Sequence, residues 1–482
     1  MDKKLFVNYF YNILYQVVTV LAPIITVPYT TKVLGAQLGV NAFTATFVQW
    51  FIIFGIMGIN NYGIKTIGTV QDDRKLLSKT FHEIFLMQRC NLLLVLVAYL
   101  VSIAVSSFDY KLIYFIQGLT ILSTMFDISW FYLGIEDFKV NSLRNILVKI
   151  IGVALIFLIV KSEADLWKFV LINGLTAIFG QMIMLVQLGK YVDPYKVSLK
   201  EAYQDHFKDN LILFVPQIAT SIYTVLDQTL VGVLAEDWEA QSAFYQQATR
   251  IVRMFLYFIT SIGSVIMPRI ANVYSKGDNE KVASYLSVTL KLALYLAIPM
   301  TFGTASVAPS LVPWFMAPQF GIVGTLIPIT TPIILLISLS NVFGVQFLLP
   351  TGRMKEFSTS VVLGAVMNLI SNVILIPRFG ALGACIALVI AEGSVTLYQF
   401  IVMRGKLQFN IQERSILLYF ADAIGMSLIV LLIGRLMGPS LKTNILQVLA
   451  GGIFYMAVLT VFREEFHMSV LQKVLKIVKK IR

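Results

Sequence analysis

The chain has 482 residues, of which 57% are apolar and only 13% are charged, and its formal net charge is +12. A soluble domain would carry roughly twice that charged fraction, so the composition excludes a soluble globular protein. The apolar residues stand in blocks such as NLLLVLVAYLVSIAVSSF (91–108), close to the roughly 20 residues that cross a bilayer. We therefore predict an all-α polytopic protein of the cell membrane.

In chain order, the first apolar block directly follows MDKKLFVNYFYN (1–12). It is too long for a signal peptide and no small-residue cleavage site closes it, so we predict an uncleaved first span. Pro23 and Pro28 in this span and Pro216 in the seventh predict breaks in those helices. We place about fourteen spans near 6–34, 40–63, 81–106, 111–134, 143–160, 166–189, 208–233, 241–270, 284–308, 319–349, 357–376, 380–404, 414–436 and 443–462.

The basic residues are distributed unevenly between the two sets of loops. An even number of spans puts both termini on one side, and the loops and tails of that side carry about 26 of the 38 Lys and Arg residues. The opposite loops carry about 7 and the spans about 5. This asymmetry predicts that both termini are cytoplasmic, and it accounts for most of the positive charge without any nucleic-acid partner.

The order of the spans suggests two six-helix halves followed by two further helices. The tail MSVLQKVLKIVKKIR spaces its apolar residues as an amphipathic helix on the anionic inner leaflet would, although a solvated basic tail is the alternative. The predicted parts are an N-terminal lobe (1–190), a cytoplasmic linker (191–207), a C-terminal lobe (208–404), two trailing helices (414–462) and the basic tail (463–482).

Two arginines stand in the middle of the predicted eighth span. Arg250 lies about 12 Å from its outer end and Arg253 one turn deeper. One helical face carries four polar residues at i, i+4, i+7 and i+11: Gln246, Arg250, Arg253 and Tyr257. A charge at this depth costs at least a few kcal/mol, so the face must meet protein or water. Fixed cations in a wet cavity suit an anionic ligand, because Arg binds phosphate in bidentate fashion.

Internal ion pairing is the alternative explanation for these arginines. Asp227 lies about seven residues from the outer end of the seventh span, at the depth of Arg250 on the next antiparallel helix. One acid cannot neutralise two arginines, so at least one positive charge is left for a substrate, an ion or a distant acid. The sequence leaves both roles open.

Three further charged residues fall within predicted spans. Arg89 in the third span and Asp127 in the fourth lie at similar depths from the cytoplasmic end, and we expect them to form a structural pair. Glu392 lies mid-span in VIAEGSV, where a lone carboxyl group either carries a coupling proton or cation or packs in its protonated form. These three groups and Asp227 are the four candidates for ion coupling or charge pairing.

Motifs for enzymatic chemistry are not found. The chain has no GxxxxGK[ST] pattern, which argues against direct ATP drive. His82, His206 and His467 are scattered without metal-ligand spacing. We predict neither an enzyme nor a cofactor or metal, and the small partner left open is a coupling ion, H⁺ or Na⁺. A membrane glycosyltransferase or ligase would need reacting groups and usually a large catalytic loop, and the loops here are short.

Six segments of the chain are distinctive: LAPIITVPYTTKVLGAQLGV, DISWFYLGIEDF, LDQTLVG, AFYQQATRI, VIMPRI and GACIALVIAE. They resemble, in order and from about residue 5 to about residue 404, segments of bacterial polysaccharide flippases of the Wzx type. These flippases are a branch of the multidrug/oligosaccharidyl-lipid/polysaccharide exporter superfamily.

The resemblance implies two six-helix lobes arranged in a V, with two extra helices. It implies a flippase that moves oligosaccharide repeat units on undecaprenyl pyrophosphate from the inner to the outer leaflet by alternating access coupled to an ion gradient. Family members hold the pyrophosphate and sugars in a cationic cavity, which Arg250 and Arg253 would line. Lys32 stands where related sequences often carry a basic residue after the paired prolines, and it joins the cavity candidates. Cavity charges vary among these flippases, so no fixed residue list carries over.

The expected product is a surface polysaccharide, with capsule, exopolysaccharide and O-antigen left open. The expected partners are the lipid-linked substrate, the bilayer, and the polymerase and glycosyltransferases of the same pathway. A cation-coupled multidrug antiporter of the same superfamily is the alternative. Its cavity should be acidic or aromatic to accept cationic drugs, whereas the charges predicted inside this membrane region lean positive.

Overall fold

The structure, a computed structural model, describes residues 3–404 and 413–481. Side chains are described throughout these ranges except in parts of the first, ninth, tenth and last helices. The described residues form α-helices with short 3-10 and π turns and contain no strand. The helices are α1 (Lys3–Leu34), α2 (Gln37–Ile56), α3 (Ile59–Val70), α4 (Arg74–Val105), α5 (Lys111–Met125), α6 (Ser129–Gly134), α7 (Phe138–Ile159), α8 (Leu166–Leu188), α9 (Leu199–Leu234), α10 (Trp238–Ser275), α11 (Asn279–Phe315), α12 (Val323–Thr330), α13 (Pro332–Ser340), α14 (Met354–Phe379), α15 (Ala381–Met403), α16 (Glu413–Met437), α17 (Leu441–Val461) and α18 (Glu465–Ile481).

The predicted all-α membrane fold is confirmed. Among the described residues, 11 helices are long and apolar enough to cross a membrane, and a bent helix pair makes up to 12. The predicted seventh and eighth spans lie in α9 and α10, which are helical from end to end. Because some of their side chains lie outside the description, the count of fourteen stays a prediction, as does the cytoplasmic placement of both termini.

Helix breaks do not follow the prolines that predicted them. Helix α1 runs without interruption through Pro23 and Pro28. The second span instead breaks between α2 and α3, at Met57, whose φ of 49° lies in the left-handed region. At the adjacent Gly58, a Cβ atom would lie 2.8 Å from the carbonyl oxygen of Asn210, so close backbone contact requires glycine.

The tenth predicted span is the most irregular. Helices α12 and α13 are bent by 41° where Pro332 begins the second of them. A π-helical turn, Asn341–Leu348, follows α13 directly. Proline at the first helical position needs no intrahelical partner, which lets the chain change direction there.

By contacts, the chain divides into two compact units. The first unit is Met1–Val233 with Trp238–Ala243, and the second is Leu234–Asp237 with Phe244–Arg482. The lobes predicted from span order, with their boundary at 191–207, stay a prediction.

The core of the first unit lies where α3, α4 and α6 meet. Trp130, Phe131 and Tyr132 of α6 are fully buried. The Trp130 indole N–H donates to Gln88 Oε1 at 2.8 Å, which removes an unpaired donor from this core. A Cβ atom on Gly63 would lie 2.6 Å from the Trp130 ring, so α3 and α6 pack at a distance that only glycine permits.

The core of the second unit is built around α11, which packs against α12, α13, α16 and α17. Tyr295 of α11, Tyr419 of α16 and Tyr455 of α17 are all buried in one cluster. Their hydroxyl groups bring polar atoms into an otherwise apolar interior.

Large apolar side chains cover the outside of both units. Val105 and Val186 are 83% and 84% exposed, and Leu436 is 75% exposed. Water would not tolerate such extensive apolar surface, whereas hydrocarbon does. The surface therefore agrees with a multi-pass membrane protein.

Candidate substrate-binding site

The polar face predicted for the eighth span lies on α10. Helix α10 begins at Trp238, three residues earlier than expected, so Arg250 lies about 18 Å and Arg253 about 22 Å along the helix. Both depths fall well inside roughly 30 Å of hydrocarbon, if the bilayer starts near the beginning of the helix. The side chain of Tyr257, the fourth predicted member of the face, lies outside the described residues.

The two guanidinium groups are accessible. Arg250 is exposed, and Arg253 and Gln246 are half-buried. Within the second unit, the ion pairs of the described residues include neither arginine. Side chains at i and i+3 lie roughly 5–6 Å apart, so the two like charges repel each other. An anion placed between them would relieve that repulsion.

A neighbouring residue that we did not predict adds to this region. Gln247 is 1% exposed, and neither atom of its amide has a hydrogen-bond partner among the described residues. A buried amide left without partners is costly, typically about 1–3 kcal/mol. Gln247 therefore brings unused donor and acceptor capacity beside the polar face of α10.

The candidate residues of the first unit have different environments. Asp227 near the end of α9 is 2% exposed, and Lys32 in the last turn of α1 is exposed. The end of α9 is anchored on α2, because the Trp50 indole N–H donates to Thr229 Oγ1 at 2.8 Å. An ion pair between Asp227 and Arg250 stays a prediction.

The structure does not form the expected pair between Arg89 and Asp127. The Arg89 guanidinium lies over the Phe85 ring, 4.3 Å from its centroid. The predicted fourth span breaks after α5, and Asp127 lies in the break, where its Oδ1 accepts a hydrogen bond from the Ser129 N–H at 2.9 Å. The carboxyl group thus bonds the first backbone N–H of α6, a role that a depth argument based on one continuous helix could not foresee.

Three other charged groups lie within helices, and one of them, Glu392, is a candidate predicted from the sequence. Arg144 of α7, at the start of the predicted fifth span, is a cation that interacts electrostatically with Asp127. Glu392 on α15 is 7% exposed, as expected for a mid-span carboxyl. Asp422 on α16 is 3% exposed and was missed, although an acid within a predicted span is itself a signal.

Comparison with known proteins agrees with this architecture. A solved structure titled as lipid II flippase MurJ in an inward closed conformation superposes with a TM-score of 0.73 at 14% identity, covering 94% of this chain and 98% of that one. A protein of Escherichia coli strain K12 named for O-antigen transport is 22% identical over 406 residues, which is 82% of this chain and 96% of the relative. A protein of Shigella dysenteriae with the same name is 23% identical over 301 residues, 60% of this chain and 72% of the relative.

The likeness to this flippase structure shows the fold of the chain, and both relatives are named for O-antigen transport. Residues 5–274 match the family described as polysaccharide biosynthesis protein, which is more than half of the chain. The chain belongs to that family. The Wzx-type resemblance inferred from its segments is confirmed at this level.

Proposed function

We propose that the protein moves oligosaccharide repeat units linked to undecaprenyl pyrophosphate from the inner to the outer leaflet for surface polysaccharide synthesis. It does so by alternating access coupled to an ion gradient. The names of the relatives, O-antigen transporters and a lipid II flippase, support a lipid-linked glycan as the substrate class. The polymerase and glycosyltransferases of the same pathway would be its functional partners.

The accessible Arg250 and Arg253 on one face of α10 carry the proposal. A pyrophosphate has about two negative charges and cannot enter hydrocarbon alone, because the desolvation cost of a charge is several kcal/mol. Two guanidinium forks offer charge-assisted, bidentate hydrogen bonds to its oxygens. The polyprenyl chain can meanwhile stay in the bilayer, since it is as apolar as the lipid.

The test replaces Arg250 and Arg253 by alanine, singly and together. Each lost charge-assisted hydrogen bond is worth about 1.5–3 kcal/mol, so each single variant should weaken binding of undecaprenyl pyrophosphate about tenfold or more. Binding is measured on the purified protein in nanodiscs, and surface polysaccharide is measured in a deletion strain carrying each variant. The double variant should abolish the polysaccharide while remaining in the membrane.

The matched control is Arg269→Ala, which removes an exposed arginine from the predicted cytoplasmic end of the same helix. It should leave both readouts near the level of the unmodified protein. Lysine at position 250 or 253 keeps the charge and loses the fork, so an intermediate loss would show that geometry contributes as well as charge. Normal polysaccharide in the folded double variant would contradict the site.

The multidrug antiporter remains the competing function. A deletion strain that becomes sensitive to cationic drugs, yet keeps its surface polysaccharide, would support it and remove the flippase proposal. Purified protein that chemically converts a lipid-linked sugar would contradict both transport functions.

A further inference from the structure

A buried carboxyl group in the second unit has no described partner. Asp422 lies on α16, nine residues after Glu413 and so about 14 Å from the start of that helix. It is 3% exposed, and neither carboxyl oxygen has a hydrogen-bond partner among the described residues. Helix α16 packs against α11 and α17, so the group lies within a three-helix contact.

The groups around Asp422 do not supply a positive charge. The titratable residues packed there are Tyr295 of α11, Tyr419 of α16 itself and Tyr455 of α17, and the Tyr455 hydroxyl lies close enough to interact with the charge of Asp422. An isolated carboxylate in an apolar interior is prohibitively costly, and such a group normally becomes neutral. Asp422 must therefore carry a proton or bind a cation.

A proton fits the site better than a metal ion. Sodium and divalent cations need several oxygen ligands around them, whereas a proton needs one carboxyl oxygen. In the described part of the chain, no three His, Cys, Asp or Glu residues gather into a metal-binding group. The other polar side-chain atoms of this cluster are the hydroxyl groups of Tyr295, Tyr419 and Tyr455.

Several separate hydrogen bonds lie between this cluster and the junction between α17 and α18. The Tyr455 hydroxyl donates to the carbonyl oxygen of Tyr295 at 3.2 Å. The Tyr295 hydroxyl lies 3.0 Å from Nδ1 of His467, whose backbone N–H donates to Glu464 Oε2 at 2.7 Å. The Ser415 hydroxyl, near the start of α16, donates to the other oxygen of Glu464 at 2.9 Å.

His467 is the buried imidazole among these groups. Burial lowers the pKa of this imidazole below its ordinary value, so the ring is neutral near pH 7. A neutral ring can accept a proton at one nitrogen while it donates from the other. Its second nitrogen, Nε2, lies 2.9 Å from Thr460 Oγ1, which holds the ring in place.

We propose that Asp422 is a proton-binding site of the second unit. No covalent bond other than the O–H bond of the carboxyl forms or breaks. The protonated form is stable in the closed three-helix contact, and release requires water to reach the group. Loading is thereby linked to the packing of α16 against its neighbours. The coupling role rests on the proposed transport function, whereas proton binding itself does not.

The first experiment tests proton binding alone. Infrared difference spectra of the purified protein, titrated across neutral pH, should contain the carbonyl band of a protonated carboxyl group. The band should disappear in Asp422→Asn and persist in the control Glu280→Gln, an exposed acid at the start of α11. Thermal unfolding checks that the Asp422 variant is folded. A band that persists in folded Asp422→Asn, or that responds to sodium instead of pH, overturns the proposal.

The second experiment tests coupling in proteoliposomes that contain a lipid-linked oligosaccharide. A pH gradient should accelerate flipping by the unmodified protein and by Glu280→Gln, and Asp422→Asn should lose the acceleration. A full gradient response in Asp422→Asn overturns the coupling role. If the unmodified protein moves no lipid-linked glycan but the infrared band depends on Asp422, the proposed function fails and the proton site stands.

Discussion

Glu83 in the first unit and Asp422 in the second are both almost completely buried, at 2% and 3% exposure, yet their surroundings are opposite. Glu83 Oε2 lies 3.0 Å from Nε2 of His206, and its Oε1 lies 3.4 Å from the Lys79 ammonium group. His206 is held in turn by the Tyr62 hydroxyl, 2.7 Å from Nδ1. Asp422 has no such partner among the described residues.

The difference separates two uses of a buried charge. The Glu83 cluster joins α3, α4 and the start of α9, so its charges are occupied in holding three helices together. Asp422 has no hydrogen-bond partner among the described residues, so its carboxyl oxygens remain available to bind a proton. A buried charge thus holds helices together in the first unit, whereas the buried carboxyl group of the second unit stays available for binding.

Removing the carboxyl group of Glu83 should have the strongest effect on stability. Glu83→Ala leaves His206 without its acid and leaves Lys79 only its 3.8 Å contact with Asp205, and breaking one side of a buried pair costs about 3 kcal/mol. Thermal or denaturant unfolding in detergent measures the loss. Asp193→Ala is the control, because its pair with Arg74 is exposed and should contribute far less. Equal losses in the two variants would contradict a structural role for the Glu83 cluster.

The same kind of change at Asp422 should act in the opposite direction. Asp422→Leu replaces an unpaired carboxyl with an apolar side chain of similar size, and such replacements are often stabilising, here by about 1 kcal/mol. The unfolding temperature of this variant should rise above that of the unmodified protein. A loss as large as that of Glu83→Ala would mean that Asp422 has a structural partner after all.

Docking of the tail helix α18 should depend on pH, and this effect should be smaller than those of the two substitutions above. Because burial lowers the pKa of His467, the undocked tail takes up a proton near the ordinary value of 6.5 while the docked tail resists it. Acidification below about pH 6.5 therefore favours release of α18, and docking is restored as the pH rises. Protease cleavage at Lys473, compared at each pH with His467→Gln, measures the release. A pH response retained in His467→Gln would assign it to another group.

The amount that could be predicted differs between the fold and the site. Long apolar blocks predicted the helices well, since α8, α14, α15, α16 and α17 coincide with expected spans to within three residues. Helices α4 and α7 end where expected but begin seven and five residues earlier. The breaks were missed, because Met57 and Asp127 look like ordinary residues of continuous spans. Their positions depend on what packs beside them, as the contact between Gly58 and Asn210 shows.

The segment DISWFYLGIEDF illustrates the same limit in another form. It was a specific sign of the family, and its aromatic residues prove to be core: Trp130, Phe131 and Tyr132 are fully buried. Family likeness in this segment therefore reports on packing between α3, α4 and α6. It says nothing direct about which side chains meet a substrate.

The membrane class, the helical fold and the position of two arginines in one helix follow from the order of the residues, because hydrocarbon thickness and helical periodicity act along a single chain segment. Which side chains pair with each other does not follow from that order. Which acid faces Arg89, whether Asp422 has a partner and where His467 docks all depend on residues far away in the chain. Electrostatic pairing falls off over a few ångströms, so it is settled only when the folded helices bring those residues side by side.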